Sequence, residues 1–255
     1  MIHTSKKELI NLFKFLGLKK RSNVLFHTSL IPFGKIEGGV HSIYDCAKKI
    51  IGEEGNIIVP SFSYSYRRNK IFDVRKTPSY PLIGIFSEHI RKKAGSYRNL
   101  DPLFSFTCMG PDKKKLINRE SINCFGEKSV FEKLFEKNIL VINLGISYTT
   151  GLTAFLHLEK KANVFYRHDK LFKGKTIDYK GQKILDSAIH FIKREKIFKK
   201  FRSNREKVGE ILERKKISKF VIKNNHKHFS INLKDFQNEV LTLLSKKKDI
   251  MLEKK

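Results

Sequence analysis

The chain has 255 residues with 40% hydrophobic content, and its 53 Lys and Arg against 25 Asp and Glu give a formal net charge of +28. This length and hydrophobic content are sufficient for one large domain, or for a domain with an appendage. The charge indicates an anionic partner (nucleic acid, a membrane surface or a phosphorylated small molecule), or it reflects a composition rich in Lys, Asn, Ile and Phe.

The apolar residues and cysteines predict a soluble, cytoplasmic protein. No apolar run reaches the roughly 18 residues that a membrane-spanning helix needs. The first ten residues include Lys6, Lys7 and Glu8 and lack the apolar core of a secretory signal. The 3 cysteines are an odd number without metal-site spacing, which suits free thiols in a reducing compartment.

The first quarter of the chain has the pattern of a β-α-β unit. An apolar stripe over residues 9–18 is typical of a helix, and residues 24–26 predict a short buried strand. Apolar residues recur at helical spacing over 40–51 up to Gly52, and residues 56–59 predict a second strand. This order favours a parallel sheet and an α/β fold.

The middle of the chain continues the alternation of strands and helices. Residues 64–81 are polar and aromatic and predict a long loop, which in a compact domain is usually functional or disordered. The clearest strand lies at 139–144 and ends at Gly145. The other predicted elements are helices at 82–93, 112–118, 129–136 and 151–161, strands at 103–109 and 163–166, and a hairpin at 172–185.

The last part of the chain differs in composition. From residue 191 to the end there are 20 Lys and Arg against 8 Asp and Glu, and helical patterns occur at 191–201, 208–220 and 235–244. We therefore expect a main domain at 1–188 and a Lys-rich helical segment at 189–255. The phenylalanines among its lysines are compatible with weak contact with a membrane surface, and equally with packing on the main domain.

The connection between the first strand and its helix, residues 26–39 (FHTSLIPFGKIEGG), is a candidate phosphate site. Thr28 and Ser29 follow a strand whose carboxyl end lies where parallel sheets bind ligands. Gly38 and Gly39 precede a helix, whose first amides and dipole attract anions. The loop matches neither established phosphate-binding glycine pattern, so a tight structural connection is the alternative.

Several short motifs in order resemble the aminoglycoside 3-N-acetyltransferase family. They cover residues 5–185 and leave the last 65 residues unmatched. They are HTSL at 27–30 with FGKIEGG at 33–39, PSFS at 60–63, FD at 72–73 with TPS at 77–79, FGEKS at 125–129, and LG at 144–145 ahead of a helix with His157 and Glu159 and then VFYR at 164–167.

The resemblance implies an α/β/α sandwich with a mostly parallel central sheet, distinct from the GNAT acetyltransferases. It implies transfer of an acetyl or similar acyl group from acyl-CoA to a sugar amine, without a metal. The residues that it assigns to the CoA cosubstrate are His27, Thr28, Ser29, Phe33, Gly34, Lys35, Gly38 and Gly39.

One departure from the family pattern bears on the acceptor. Antibiotic-modifying members have H-P-T-H-S where this chain has DPLFS at 101–105, so both histidines are missing. This resembles the branch that acylates nucleotide-linked amino sugars for surface polysaccharides, and the basic charge favours such an anionic acceptor. The alternatives are an aminoglycoside 3-N-acetyltransferase and, in another class, a basic nucleic-acid-binding protein.

The resemblance also supplies catalytic and substrate candidates. His157 would be the general base and Glu159 its partner, although the family spacing is H-x-x-E and here it is H-x-E. If the VFYR motif fixes the alignment, the family histidine falls on Leu156. The candidates for substrate contact, each of which has a structural alternative, are Ser63, Tyr64, Asp73, Asp101 and Glu127.

Overall fold

The computed structural model describes residues 2–255, which form fourteen strands and eleven α-helices. The strands are β1 (His3–Thr4), β2 (Asn23–Thr28), β3 (Lys35–Ile36), β4 (Asn56–Pro60), β5 (Ile71–Asp73), β6 (Tyr97–Arg98), β7 (Phe106–Met109), β8 (Leu140–Leu144), β9 (Arg167–Ile177), β10 (Lys183–Lys193), β11 (Phe201–Ser203), β12 (Ser218–Lys223), β13 (His226–Asn232) and β14 (Leu252–Lys254). The helices are α1 (Lys6–Phe15), α2 (His41–Ile51), α3 (Tyr66–Asn69), α4 (Ile85–Lys92), α5 (Lys113–Ile117), α6 (Val130–Glu136), α7 (Tyr148–Gly151), α8 (Phe155–Lys161), α9 (Glu195–Lys200), α10 (Glu206–Arg214) and α11 (Leu233–Lys246).

The main sheet has seven strands in the order β12-β13-β8-β2-β4-β7-β6. β2 is parallel to both β4 and β8, and the outer pairs are antiparallel. The predicted β-α-β unit is therefore confirmed in β2, α2 and β4. The sheet as a whole is mixed, because parallel pairing is confined to its centre.

Apolar side chains cover both faces of this sheet. Val24 and Phe26 of β2 belong to one buried cluster, which also contains apolar residues of α1, α2 and α4. Leu25 belongs to a second cluster with α6, α8, α10 and α11. Because consecutive strand residues point to opposite faces, the sheet lies between two helical layers, as the α/β/α prediction requires.

A second sheet of three strands, β10-β9-β5, lies outside the main one. It contains the predicted hairpin, which is longer than expected because β9 and β10 pair along eleven residues each. The predicted loop at 64–81 is partly ordered, since it includes α3 and β5.

The description of the C-terminal segment as helical needs correction. The expected boundary after residue 188 falls inside β10, and the expected helix at 208–220 ends with α10 before β12 begins. β12 and β13 extend the main sheet, with β13 paired antiparallel to β8. α11 contributes four buried apolar residues, of which the last three lie within the helical pattern predicted at 235–244: Leu233, Phe236, Val240 and Leu244. These residues therefore complete the main sheet and its core.

Two features are absent from the described residues, 2–255. No helix there combines the length and apolar character needed to cross a membrane. No cluster of three or more His, Cys, Asp and Glu side chains there is arranged to hold a metal ion.

Candidate functional site

A cleft of about 540 Å³ lies at the carboxyl ends of β2, β4 and β8. The turn after β2, the segment 60–64 after β4 and the loop after β8 form three of its walls, and residues 82–85, which lead into α4, form the fourth. The central strands run parallel, so their carboxyl ends and the loops that follow meet at one edge. The topology therefore brings together four segments that are far apart in sequence.

Thr28, the last residue of β2, lines this cleft. Its side chain is 3% exposed, and among the described residues its Oγ1 has no hydrogen-bond partner. The neighbouring Ser29 backbone N–H already donates to the Leu144 carbonyl at 2.8 Å. A buried hydroxyl normally has a partner, so Thr28 Oγ1 has an unused hydrogen-bonding capacity beside the cleft, although like His157 Nε2 it has almost no exposed surface of its own.

Glycines allow the loops around Thr28 to approach closely. Gly84 has φ 103, and a Cβ on it would lie 2.8 Å from the Thr28 carbonyl oxygen. Gly145 has φ 66, and a Cβ there would collide with the Pro32 ring. Both positions have left-handed backbone, which favours glycine, and both lack room for a side chain.

The cleft carries no formal charge. None of the described residues that line it is Asp, Glu, Lys or Arg, and its titratable side chains are His27 and Tyr64. Burial raises the pKa of Tyr64 to about 12 and lowers the pKa of His27 to about 4, so both are uncharged near neutral pH. The arrangement suits a ligand whose reacting part is uncharged.

The predicted cofactor loop is divided between two places. His27, Thr28 and Ser29 line the cleft, whereas the segment from Phe33 to Gly39 does not. Phe33 is buried against His228, with ring centroids 5.2 Å apart.

The rest of that loop packs against the N-terminal segment. Lys35 lies in β3, which pairs with β1, and a Cβ on Gly34 would collide with the Ile2 backbone. Gly38 and Gly39 are exposed ahead of α2, and a Cβ on Gly38 would lie 2.7 Å from Ser42 Oγ. The structure therefore places Phe33, Gly34, Lys35, Gly38 and Gly39, which were predicted to bind the cosubstrate, outside the cleft.

His157 is also not brought to the cleft. It lies on α8 with no exposed surface, and its ring stacks on Phe135 with centroids 4.8 Å apart. Its Nδ1 accepts the Gly126 N–H at 3.2 Å, while Nε2 is sealed without a partner among the described residues. Burial, assisted by Lys161 and Lys160, lowers the pKa of His157 to about 3. These contacts stabilise the fold and leave no access for a substrate.

Glu159 is 1% exposed and has partners other than His157. Its carboxylate lies 3.0 Å from Arg167 Nε and 2.9 Å from Arg205 Nη2, and it accepts the Tyr166 hydroxyl at 2.9 Å. The expected His157–Glu159 pair is therefore not formed. Residues two apart on a helix point in different directions, which explains the outcome.

Of the five predicted substrate residues, Tyr64 alone lines the cleft. Ser63 Oγ accepts from Arg98 at 3.2 Å, and Glu127 is exposed outside the cleft. Asp73 Oδ1 accepts the N–H groups of Arg75 and Lys76. Asp101 Oδ1 similarly accepts the Leu103 and Phe104 N–H groups. Both aspartates therefore fix local turns.

The residues matched by the profile of the "Aminoglycoside 3-N-acetyltransferase" family are 25–244, which include every wall of the cleft. This chain belongs to the aminoglycoside 3-N-acetyltransferase family. It is therefore an acetyltransferase enzyme, and its cosubstrate is acetyl-CoA.

Two curated sequences that are similar to this chain also carry aminoglycoside N-acetyltransferase names. The SPbeta prophage-derived aminoglycoside N(3′)-acetyltransferase-like protein YokD of Bacillus subtilis is 26% identical over 233 residues, covering 82% of this chain and 80% of that protein. The aminoglycoside N(3)-acetyltransferase IV of Salmonella sp is 26% identical over 163 residues, covering 63% and 60%.

Solved structures have the same fold. The YokD structure matches with a TM-score of 0.80 at 21% identity, covering 98% of this chain and 96% of the other. The structure of AAC-IIIb in a binary complex with CoASH matches with a TM-score of 0.80 at 16% identity, covering 96% and 97%.

The expectation of a nucleotide-linked amino sugar as acceptor is wrong. The family profile and both relatives are named for aminoglycoside acetylation, which was the alternative interpretation. The missing histidines at 101–105 did not identify the acceptor, although Phe104 of that segment packs on Phe62 and Tyr64 of the cleft with ring centroids 5.0 and 5.5 Å apart. The net charge did not identify the acceptor either. The charge is a property of the whole surface, whereas the cleft itself has none.

Sequence reasoning missed two walls of the cleft. One consists of residues 82–85 and the other of residues 145–153, including Gly145, Ser147, Thr150 and Thr153. A signal existed for the second wall, since Gly145 directly follows the clearest strand. The first wall had no local signal, because its position depends on how the long segment 61–84 folds back over β2.

Proposed function

We propose that this chain transfers the acetyl group of acetyl-CoA to an amino group of an aminoglycoside in the cleft at the carboxyl ends of β2, β4 and β8. The observation that carries the proposal is the buried, unpartnered Thr28 Oγ1 at the base of an uncharged cleft. The acceptor class follows from the family and from the names of the two relatives.

Thr28 has the chemistry to stabilise the developing oxyanion. When an amine attacks the thioester carbonyl, negative charge grows on the carbonyl oxygen, and a fixed O–H donor lowers the barrier. Thr28 Oγ1 has no competing acceptor among the described residues, so it can donate without breaking a bond of the fold. The Ser29 hydroxyl can add a second donor, whereas the Ser29 backbone N–H cannot, because that N–H donates to the Leu144 carbonyl.

The remaining walls suit the thioester arm of the cosubstrate. Phe62, Ile83 and Ile146 supply apolar contacts, and Ser147 and Thr150 supply hydroxyls. This mixture matches an uncharged chain with amide groups, as in pantetheine. His27, Thr28 and Ser29 are therefore the residues of the original cofactor assignment that we retain.

The acceptor enters a cleft without carboxylates. An aminoglycoside is a polycation, so its ammonium groups gain no ion pair from the lining residues, and the net charge of +28 disfavours the encounter. Tyr64 is the residue retained for acceptor contact; one face of its ring is covered by Arg67, whose guanidinium carbon lies 4.7 Å from the ring centroid. We therefore expect a high KM for the acceptor.

The proposal is tested by free-thiol release from acetyl-CoA with gentamicin as acceptor, with the product followed by mass spectrometry. The expected result is aminoglycoside-dependent thiol release and a product carrying one added acetyl group. A matched panel includes a nucleotide-linked amino sugar and a simple primary amine. If the enzyme acetylates the other acceptors and no aminoglycoside, the proposed acceptor class is wrong.

A further inference from the structure

His27 lies one residue before Thr28 in β2, directly opposite Asn143 of β8, and it lines the cleft. It is 6% exposed. Both ring nitrogens of His157 are engaged or sealed, and both of His228 are sealed. Those of His27 are neither sealed nor hydrogen-bonded to the described residues. A histidine whose nitrogens face a binding cleft is suited to accept a proton.

We propose that His27 is the proton acceptor for the attacking amine, a role that rests on the proposed acetyl transfer in this cleft. The amine nitrogen forms a bond to the acetyl carbon and passes its proton to a ring nitrogen of His27. The C–S bond then breaks, and the imidazolium returns the proton to the leaving thiolate. Atoms and charge balance, with acetylated amine and free CoA thiol as products.

The other groups of the cleft do not fit this role. None of the described lining residues is a carboxylate or an amine, and the Tyr64 phenol stays protonated near neutral pH because burial raises its pKa to about 12. Hydroxyls such as Thr150 and Ser147 are too weakly basic to take a proton and hold it.

The other buried histidines near this side of the sheet are committed elsewhere. His157 Nδ1 accepts from Gly126 and its second nitrogen is sealed. His190 Nδ1 lies 3.0 Å from Arg67 Nη2 and its ring packs on Phe104, outside the residues that line the cleft. His27 is thus the histidine of the described chain that combines access to the cleft with open nitrogens.

The surroundings of His27 keep it in the acceptor form. Asn143 faces it from β8, and Tyr64, Thr150 and Ser29 line the same cleft from the adjoining loops; none of them is charged near neutral pH. Burial lowers the pKa of His27 to about 4, and no charged neighbour contributes to that shift. The ring is therefore neutral across the neutral range and able to receive a proton from the cationic adduct, whose N–H is more acidic than that of a free ammonium group.

The test compares His27→Gln with His157→Gln, a matched change of a second buried histidine, in thiol release from acetyl-CoA. We expect kcat of His27→Gln to fall by about 10²–10⁴-fold while CoA binding by calorimetry is retained, and kcat of His157→Gln to stay within a few-fold of wild type. For His27→Ala, added imidazole should restore part of kcat, which a structural role would not produce. Equal activity of His27→Gln and wild type, or absence of imidazole rescue, would overturn the role of His27.

A second acceptor separates this inference from the proposed function. Hydroxylamine is small and uncharged near neutral pH, so it needs no aminoglycoside subsite. If wild type acetylates hydroxylamine but not gentamicin, the aminoglycoside proposal fails, and the ratio of wild type to His27→Gln still decides the role of His27. If wild type acetylates neither acceptor, both proposals are overturned. If His27→Gln loses CoA binding, the effect of imidazole on kcat of His27→Ala decides whether His27 accepts the proton.

Discussion

Two buried polar regions of this molecule differ in whether their polar groups have partners. On α8 the carboxylate of Glu159 is matched by Arg167, Arg205 and Tyr166. In the cleft, Thr28 Oγ1 and the His27 ring have no partners among the described residues. The first region stabilises the fold because its charges are satisfied, and the second can bind a ligand because its polar groups are not.

The largest expected effect concerns the first region. Replacing Glu159 with Gln leaves Arg167 and Arg205 buried without a carboxylate, and we expect a loss of about 3–5 kcal/mol in the free energy of unfolding. Chemical denaturation measures it. The control is Glu253→Gln, whose carboxylate pairs with the exposed Arg202 and whose loss should have no measurable effect. If the two variants were equally stable, the Glu159 cluster would not support the fold.

The next effect concerns the cleft. Thr28→Val removes a hydroxyl that has no partner in the fold, so stability should be unchanged, whereas kcat should fall by about 10²–10³-fold if this hydroxyl stabilises the oxyanion. The control is Thr242→Val, at a residue of α11 outside the cleft whose hydroxyl donates to the Asn238 carbonyl at 2.8 Å, and this variant should keep the kcat of wild type. Loss of stability without loss of kcat in Thr28→Val would contradict the contrast between the regions.

The fold around these two regions could be predicted from the sequence, but their side-chain partners could not. Strand and helix spacing predicted the β-α-β centre and α11, since each repeats over many residues. The partners of Glu159 were not predictable, because Arg205 is 46 residues away and approaches only after the C-terminal segment folds onto α8. Asp73 and Asp101 have the residue type of an ammonium-binding site, but a carboxylate that caps its own turn has the same sequence signature.

The structure separates the predicted cofactor residues into two groups for a similar reason. Thr28 and Ser29 lie at the end of a parallel strand, so topology alone places them at the binding edge. In the sequence, Gly38 and Gly39 had the same standing as Thr28 and Ser29, because they too lie between a strand and a helix. In the structure the loop before them is drawn to the N-terminal segment, because β3 pairs with β1. Residues 27–39 alone do not predict that pairing.

A smaller effect, of about 2 kcal/mol in the free energy of unfolding between two pH values, tests whether His157 is a structural residue. Burial lowers its pKa to about 3 in the folded chain, from 6.5 for an unperturbed histidine, so the unfolded chain binds the extra proton. Stability from this residue is present above pH 6.5 and is lost as pH falls, by about 1.4 kcal/mol per pH unit.

We therefore expect wild type to lose about 2 kcal/mol more stability than His157→Gln between pH 6.5 and 5. Glutamine keeps an acceptor for the Gly126 N–H, which makes this a conservative change. Denaturant titrations of both proteins at the two pH values measure the difference. If wild type and His157→Gln lost the same stability between the two pH values, His157 would not be buried in its neutral form.

The smallest expected effect concerns the charge outside the cleft. If a polycationic aminoglycoside approaches a protein of net charge +28, salt screens the repulsion, and kcat/KM should rise by about 3-fold between low and physiological ionic strength. Hydroxylamine, which is uncharged, should show no such rise. A fall of kcat/KM with salt for gentamicin would indicate an acidic acceptor subsite outside the described cleft walls.

The most direct test of the central claim is a crystal structure of this chain with bound CoA. We expect the CoA sulfur to lie in the cleft at the carboxyl ends of β2 and β8, with Thr28 Oγ1 and His27 within hydrogen-bond reach of the acyl position. A CoA sulfur placed beside His157 and Glu159, away from Thr28, would contradict it.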